Sequence, residues 1–168
     1  MKTSHFTLAT ITLLLTAILA SNDCWAGTKV NVGQNVPAGQ QVSMDQIDHQ
    51  PWDGLLKRYV DTNGMVAYAQ WKQSAQETQL LSTYLGSLST ANPNAQASPA
   101  AQLVFWINAY NALTVYGILR EYPTTSIRNH TAKLVGYNIW DDLLLNVGGK
   151  AYSLNQMEHE VLRKMGEP

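Results

Sequence analysis

FWINAYNALTVYGILREYP, Phe105 to Pro123, has the hydrophobicity of a core helix, yet two asparagines sit inside it three residues apart. Ser98 and Pro99 supply an N-cap and a first helical position upstream, and Pro123 forbids continuation, so the spacing predicts one long helix from about 99 to 122. Each residue turns an α-helix by about 100°. Wound at that spacing, Gln102, Ala109 and Arg120 share one side, which reads as the wet edge. Asn108 and Asn111 fall on a different side, among Val104, Val115 and Ile118. The expectation is therefore two amides drawn into an apolar face. An unpartnered buried amide costs roughly 1–3 kcal/mol, so each must find a hydrogen bond or line a polar cavity.

The C-terminal stretch repeats the anomaly. Ser153-Leu154-Asn155-Gln156 is a capping box, and the periodicity predicts a helix from there to about Met165, stopped by Gly166. Leu154, Met157, Val161 and Met165 define its core face. Glu158 falls inside that face and His159 on its border. A carboxylate there must be paired, hydrogen-bonded or protonated. Glu158 and His159 are the candidate acid–base residues. Asn108 and Asn111, with Tyr110 and Arg163, are the candidate binding residues.

Outward from these helices the chain punctuates itself. Trp52, Leu55, Leu56 and Tyr59 have helical spacing after Pro51. Asp61-Thr62-Asn63-Gly64 is a turn, Met65 to Tyr68 a short strand, and Trp71 to Leu88 a second helix. STANPNAQAS, Ser89 to Ser98, is a loop by composition. Residues from about 122 to 142 are irregular. Leu143 to Val147, Gly148-Gly149 and Lys150 to Tyr152 make a two-residue hairpin. Trp52, Trp71, Trp106 and Trp140 are expected in the core. The fold class is α+β: a helix-rich single domain with a few short antiparallel strands.

The N-terminus has the form of a secretory signal peptide over residues 1–26: Lys2, an uncharged apolar run from Leu8 to Ala20, and a small-x-small site ending at Ala26. The expected location is secreted or periplasmic, with no stable membrane span after cleavage. The one cysteine, Cys24, leaves with the signal, so no thiol chemistry or cysteine metal site is expected. Residues 27–48, rich in Gly, Gln, Asn and Val, read as a polar N-terminal tail, and 49–168 as the domain. With 45% apolar and 14% charged residues a disordered chain is excluded. A net charge of −1 gives no reason to expect nucleic acid. No cofactor is expected. His159-Glu160-Val161-Leu162-Arg163 falls one residue short of H-E-x-x-H, because Arg163 stands where a zinc site needs its second histidine. No G-x-S-x-G elbow or phosphate loop appears, and His49 and His130 are isolated in sequence.

Several segments together carry a resemblance. HQPW at 49–52, VDTNGMVAY at 60–68, FWINAYNAL at 105–113, Ser126-Ile127-Arg128, Trp140-Asp141, GKAYSLN at 149–155 and MEHEVLR at 157–163 resemble the domain-of-unknown-function 547 family from about His49 to the end. The resemblance implies no settled activity. It also implies a further strand and a cysteine-bearing segment beyond this end, so the chain is expected to be C-terminally truncated and to expose surface for a protein partner. Two functions follow as expectations: a non-catalytic exported binding or structural module, and alternatively a hydrolase or acyl-transfer-like enzyme with an Asn/Glu/His cleft.

Overall fold

A computed structural model describes residues 29–131 and 137–166. The proposed signal peptide lies outside the described residues. The elements are β1 (Val30–Val32), α1 (Gln50–Tyr59), α2 (Tyr68–Gln73), α3 (Ala75–Leu88), α4 (Pro99–Glu121), α5 (Ile139–Asp142), β2 (Leu143–Val147), β3 (Lys150–Ser153) and α6 (Leu154–Gln156). α6 passes directly into a π turn at Met157–Val161 and then a 3₁₀ turn at Leu162–Met165. The fold is α+β and helix-rich. The sheet, however, is mixed rather than antiparallel: its order is β1-β2-β3, with β1 parallel to β2 and β3 antiparallel to β2.

α4 is the axis of the core. Phe105, Trp106, Ala109, Ala112, Leu113, Gly117 and Leu119 are buried along it. Small residues on this face allow neighbours to come close. A Cβ added at Gly117 would sit 2.7 Å from Leu143 Cδ2 and 2.8 Å from Ile139 Cδ1, so β2 and α5 lie directly on the helix backbone there. Aromatic rings fill the other side. Tyr59 stacks on Trp71 with centroids 4.5 Å apart, Trp52 stacks on Tyr84 at 5.9 Å, and Trp106 meets Tyr152 edge-on at 4.9 Å. Trp52, Trp71 and Trp106 are buried as expected, and Trp140 is partly buried. Burying a large apolar side chain contributes about 1.5–3 kcal/mol, so this cluster is the main favourable term in the fold.

The segment read as a polar tail is part of the domain. Val30–Val32 adds β1 to the sheet. Gly33 turns the chain at φ +83°, and Ser89 Oγ accepts the Gln34 N–H at 3.0 Å. Val42 exchanges backbone bonds with Thr90 and Asn92 at 2.8 Å each, and Met44 is buried. Asp45 then clamps the start of α4, accepting the Ser98 N–H at 3.0 Å and its hydroxyl at 2.7 Å. Those bonds, the hydroxyl first, hold the Asp45 carboxyl below the usual carboxylate range. Ser98 in turn caps α4 by accepting the Ala101 N–H at 3.2 Å.

Three local expectations are corrected. The helix expected over 71–88 is broken at Ser74, whose backbone ends α2 and whose Oγ caps α3 by accepting the Glu77 N–H. Ser74-Ala75-Gln76-Glu77 is itself an S-x-x-E start signature, which the apolar stripe of the longer reading overrode. The strand expected at 65–68 reduces to a single bridge between Val60 and Val66 before α2 begins. In the segment expected to be irregular, a 3₁₀ turn at Ile127–His130 and the short α5 form. The hairpin and the Ser153–Gln156 capping box are present as read.

Candidate functional site

α4 faces the opposite way from the helical projection. Ala109, placed on the wet edge, is fully buried, while Val104 is 46% and Ile107 36% exposed. Asn111 is exposed and Asn108 half-buried. The two amides therefore lie on the outward face, where water solvates them, and neither makes a side-chain hydrogen bond to the candidate cluster among the described residues. The projection failed because α4 is apolar nearly all round. With so little polar contrast, shape decides which face packs inward, and the face with alanines, glycine and flat rings fits the sheet.

The carboxylate end of the site does assemble. Glu158 Oε1 accepts from Arg163 at 2.9 Å, and Glu158 Oε2 accepts from the Tyr110 hydroxyl at a longer 3.4 Å. His159 Nδ1 stands 4.0 Å from Glu158 Oε1, beyond hydrogen-bond range. Burial, then the negative charge of Glu158, pushes the Tyr110 phenol up. The Glu158 side chain is 37% exposed, so it is not the interior carboxylate that α-helical spacing predicts.

The π turn explains the discrepancy. The Leu162 N–H reaches back to Met157 O, five residues away, as well as to Glu158 O. The widened turn swings Arg163 toward Glu158; in a regular α-helix the two would point about 140° apart. No periodicity rule reveals this widening. Such turns recur at functional sites.

Four cavities in the described structure have no lining from Asn108, Asn111, Glu158 or His159. One of them, about 390 Å³, lies at the start of α4 between Pro99, Ala100, Gln102, Leu103 and Met165. Ala100, Leu103, Val104, Ile107 and Asn111 share one side of α4, so this cavity continues the exposed strip.

The family model for a protein of unknown function, DUF547, matches residues 94–167. Over that stretch, a little under half of the chain, the protein is similar to the DUF547 family. No curated protein and no solved structure gives a significant match. The DUF547 stretch contains α4, the hairpin and the π turn, hence all six candidate residues. The resemblance read from about residue 49 extends further than the match, which leaves α1, α2 and α3 outside it. Among the described residues, no helix is long and apolar enough to cross a membrane.

His49 and His130, isolated in sequence, each meet a hydroxyl in the fold. His49 Nδ1 lies 2.7 Å from the Tyr84 hydroxyl, with Phe105 against its ring. His130 Nε2 lies 3.0 Å from Thr124 Oγ1. Burial pushes the His49 imidazole below its ordinary range, with Asp48 pulling weakly the other way. A depressed folded value means the unfolded chain takes up the proton first. Stability attributable to His49 is then complete above the unfolded value of about 6.5 and declines as pH falls below it. Unfolding midpoints at pH 7.5 and 5.5 are expected to differ less in His49→Gln than in the parent chain. Equal pH dependence in both would contradict a neutral His49.

Proposed function

We propose that the protein is an exported binding or structural module whose contact surface is the outward face of α4, flanked by the Glu158–Arg163–Tyr110 cluster. Export rests on the N-terminal sequence pattern. The binding reading rests on one observation: Val104 and Ile107 stay exposed on a helix whose opposite face is closely packed. Contiguous exposed apolar surface rimmed by polar groups marks protein contact sites. Asn108 and Asn111 serve this face as hydrogen-bonding groups, and Glu158, paired with Arg163, offers a fixed charge beside it. Asn111 is exposed and the Glu158 side chain is 37% exposed, which favours recognition at this surface.

A photo-crosslinking residue at Ile107, compared with one at the exposed Lys57 of α1, tests this in the exported chain. The expected result is an adduct of defined mass from position 107 alone, weakened when Arg163 is changed to Glu. Matching adduct patterns at both positions would remove the support for the α4 face. Mass measurement of the same exported material is expected to give a chain starting at Gly27.

A further inference from the structure

We propose that Thr124, His130 and Glu121 form a separate hydrolytic site, with Thr124 as nucleophile, for small uncharged acyl esters. It lies at the C-terminal end of α4 and does not rest on the binding reading of that helix's outward face.

The three residues lie close together in sequence, from the end of α4 to the turn that follows it. Glu121 is the last residue of α4, Thr124 follows Pro123, and His130 closes the Ile127–His130 turn that Ser126 caps through the Arg128 N–H. His130 Nε2 is 3.0 Å from Thr124 Oγ1, and His130 Nδ1 is 3.8 Å from Glu121 Oε2. A hydroxyl, an imidazole and a carboxylate thus stand in the order that activates an alcohol: nucleophile, base, orienting group. The Nδ1 distance is longer than a hydrogen bond, as is common before substrate tightens such a site. The side chains of His130 and Glu121 are 20% and 25% exposed, so both are sheltered yet reachable.

Thr124 Oγ1 also lies 3.1 Å from Ser126 O and 3.4 Å from Asn129 Nδ2. Asn129 Nδ2 donates to the hydroxyl oxygen, while the hydroxyl proton is free to rotate between acceptors, so it can point to Ser126 O at rest and to His130 Nε2 during reaction. The Asn129 amide, which donates to Thr125 Oγ1 at 3.0 Å, is placed to donate to a developing oxyanion. Glu121 Oε1 is 3.5 Å from Arg120 Nε, which leaves Oε2 turned toward His130. Thr124, Asn129 and His130 line an open cavity of about 570 Å³ with Tyr122, Pro123 and Thr125. No lysine, arginine or carboxylate is among these lining residues, which suits a neutral ester.

The steps balance with water as the only co-reactant. Thr124 Oγ1 bonds to the ester carbonyl carbon while its proton passes to His130 Nε2. The carbonyl oxygen takes the electron pair beside Asn129. Collapse breaks the bond to the alcohol oxygen, which leaves with the proton from His130. Water then attacks the acyl-threonine by the same route. It gives a proton to His130, which returns it to Thr124 as the carboxylic acid departs. Glu121 is a positioning residue that orients the ring and balances its charge.

The test uses the full chain with p-nitrophenyl acetate as substrate and a fluorophosphonate as trapping probe. The probe is expected on the peptide containing Thr124 in the parent chain and in Thr124→Ser, and to be missing from Thr124→Val and His130→Gln. kcat/KM for the ester is expected to fall about 100-fold or more in the last two. Glu121→Gln is expected to lower kcat with little change in KM. Labelling elsewhere, no labelling, or hydrolysis unaltered by Thr124→Val would overturn the proposal. Should Thr124→Val not fold, the labelled position in the parent chain still decides.

Discussion

Trp71→Ala is expected to destabilise the protein by about 3–5 kcal/mol, the range for truncating a large aromatic side chain in a closed core. Trp71 is fully buried where α1, α2 and α3 meet, with its ring stacked on Tyr59 and 6.3 Å from Trp52. Flat stacked rings cannot collapse into the space an indole leaves, so the cavity persists and its lining loses dispersion contacts. The indole Nε1 is buried without a hydrogen-bond partner among the described residues. Trp71→Phe keeps most of the stack and removes that N–H, so it is expected to lose less than half as much. Urea unfolding of the three proteins checks both expectations. A Trp71→Ala loss under about 1 kcal/mol would mean that the α1–α3 layer is not packed as described.

Gly148→Ala carries the second large effect, about 2–4 kcal/mol from backbone strain and overpacking together. Gly148 and Gly149 take φ of +58° and +82°, the paired positive values that join β2 to β3 in a two-residue turn. A Cβ at Gly148 would also overlap Pro93 and approach the Ala91 carbonyl oxygen to 2.9 Å. Backbone cannot swing aside as a side chain can, so the hairpin would have to lift from the 89–93 loop. Gly149 provides the control. Its nearest neighbour would be 3.7 Å away, so alanine there brings strain without collision, about 1–2 kcal/mol. Thermal unfolding of the two variants side by side separates the contributions. Equal losses at both positions would show that packing against Pro93 adds nothing.

The contrast between these glycines marks what was legible. That Gly148-Gly149 closes a hairpin was readable from two apolar runs separated by the only residue type that enters positive φ freely. That one of the two also abuts the 89–93 loop was not readable, since nothing local to the turn encodes it. The tail shows the same divide. Val30–Val32 is too short and too polar in its surroundings to declare itself a strand, and it becomes one by pairing with β2, far along the chain. Glu158, Arg163 and Tyr110 could be singled out by residue type, but their meeting depends on a π turn that alternation of polar and apolar residues does not predict. The hydroxyl–imidazole pairs His49–Tyr84 and His130–Thr124 left no such mark at all. A lone histidine has no spacing to read.

The sequence by itself determined where α4, the hairpin and the C-terminal capping box begin, because caps, prolines and paired glycines act through bonds within a few residues. It also determined much of the core's composition, the helix-rich α+β class and the family resemblance. Only the tertiary structure decided which side of α4 points inward. Its residues are apolar nearly all the way round, so hydrophobicity could not choose, and close packing of small residues against the sheet did. That choice put Asn111 in water and left Val104 and Ile107 bare.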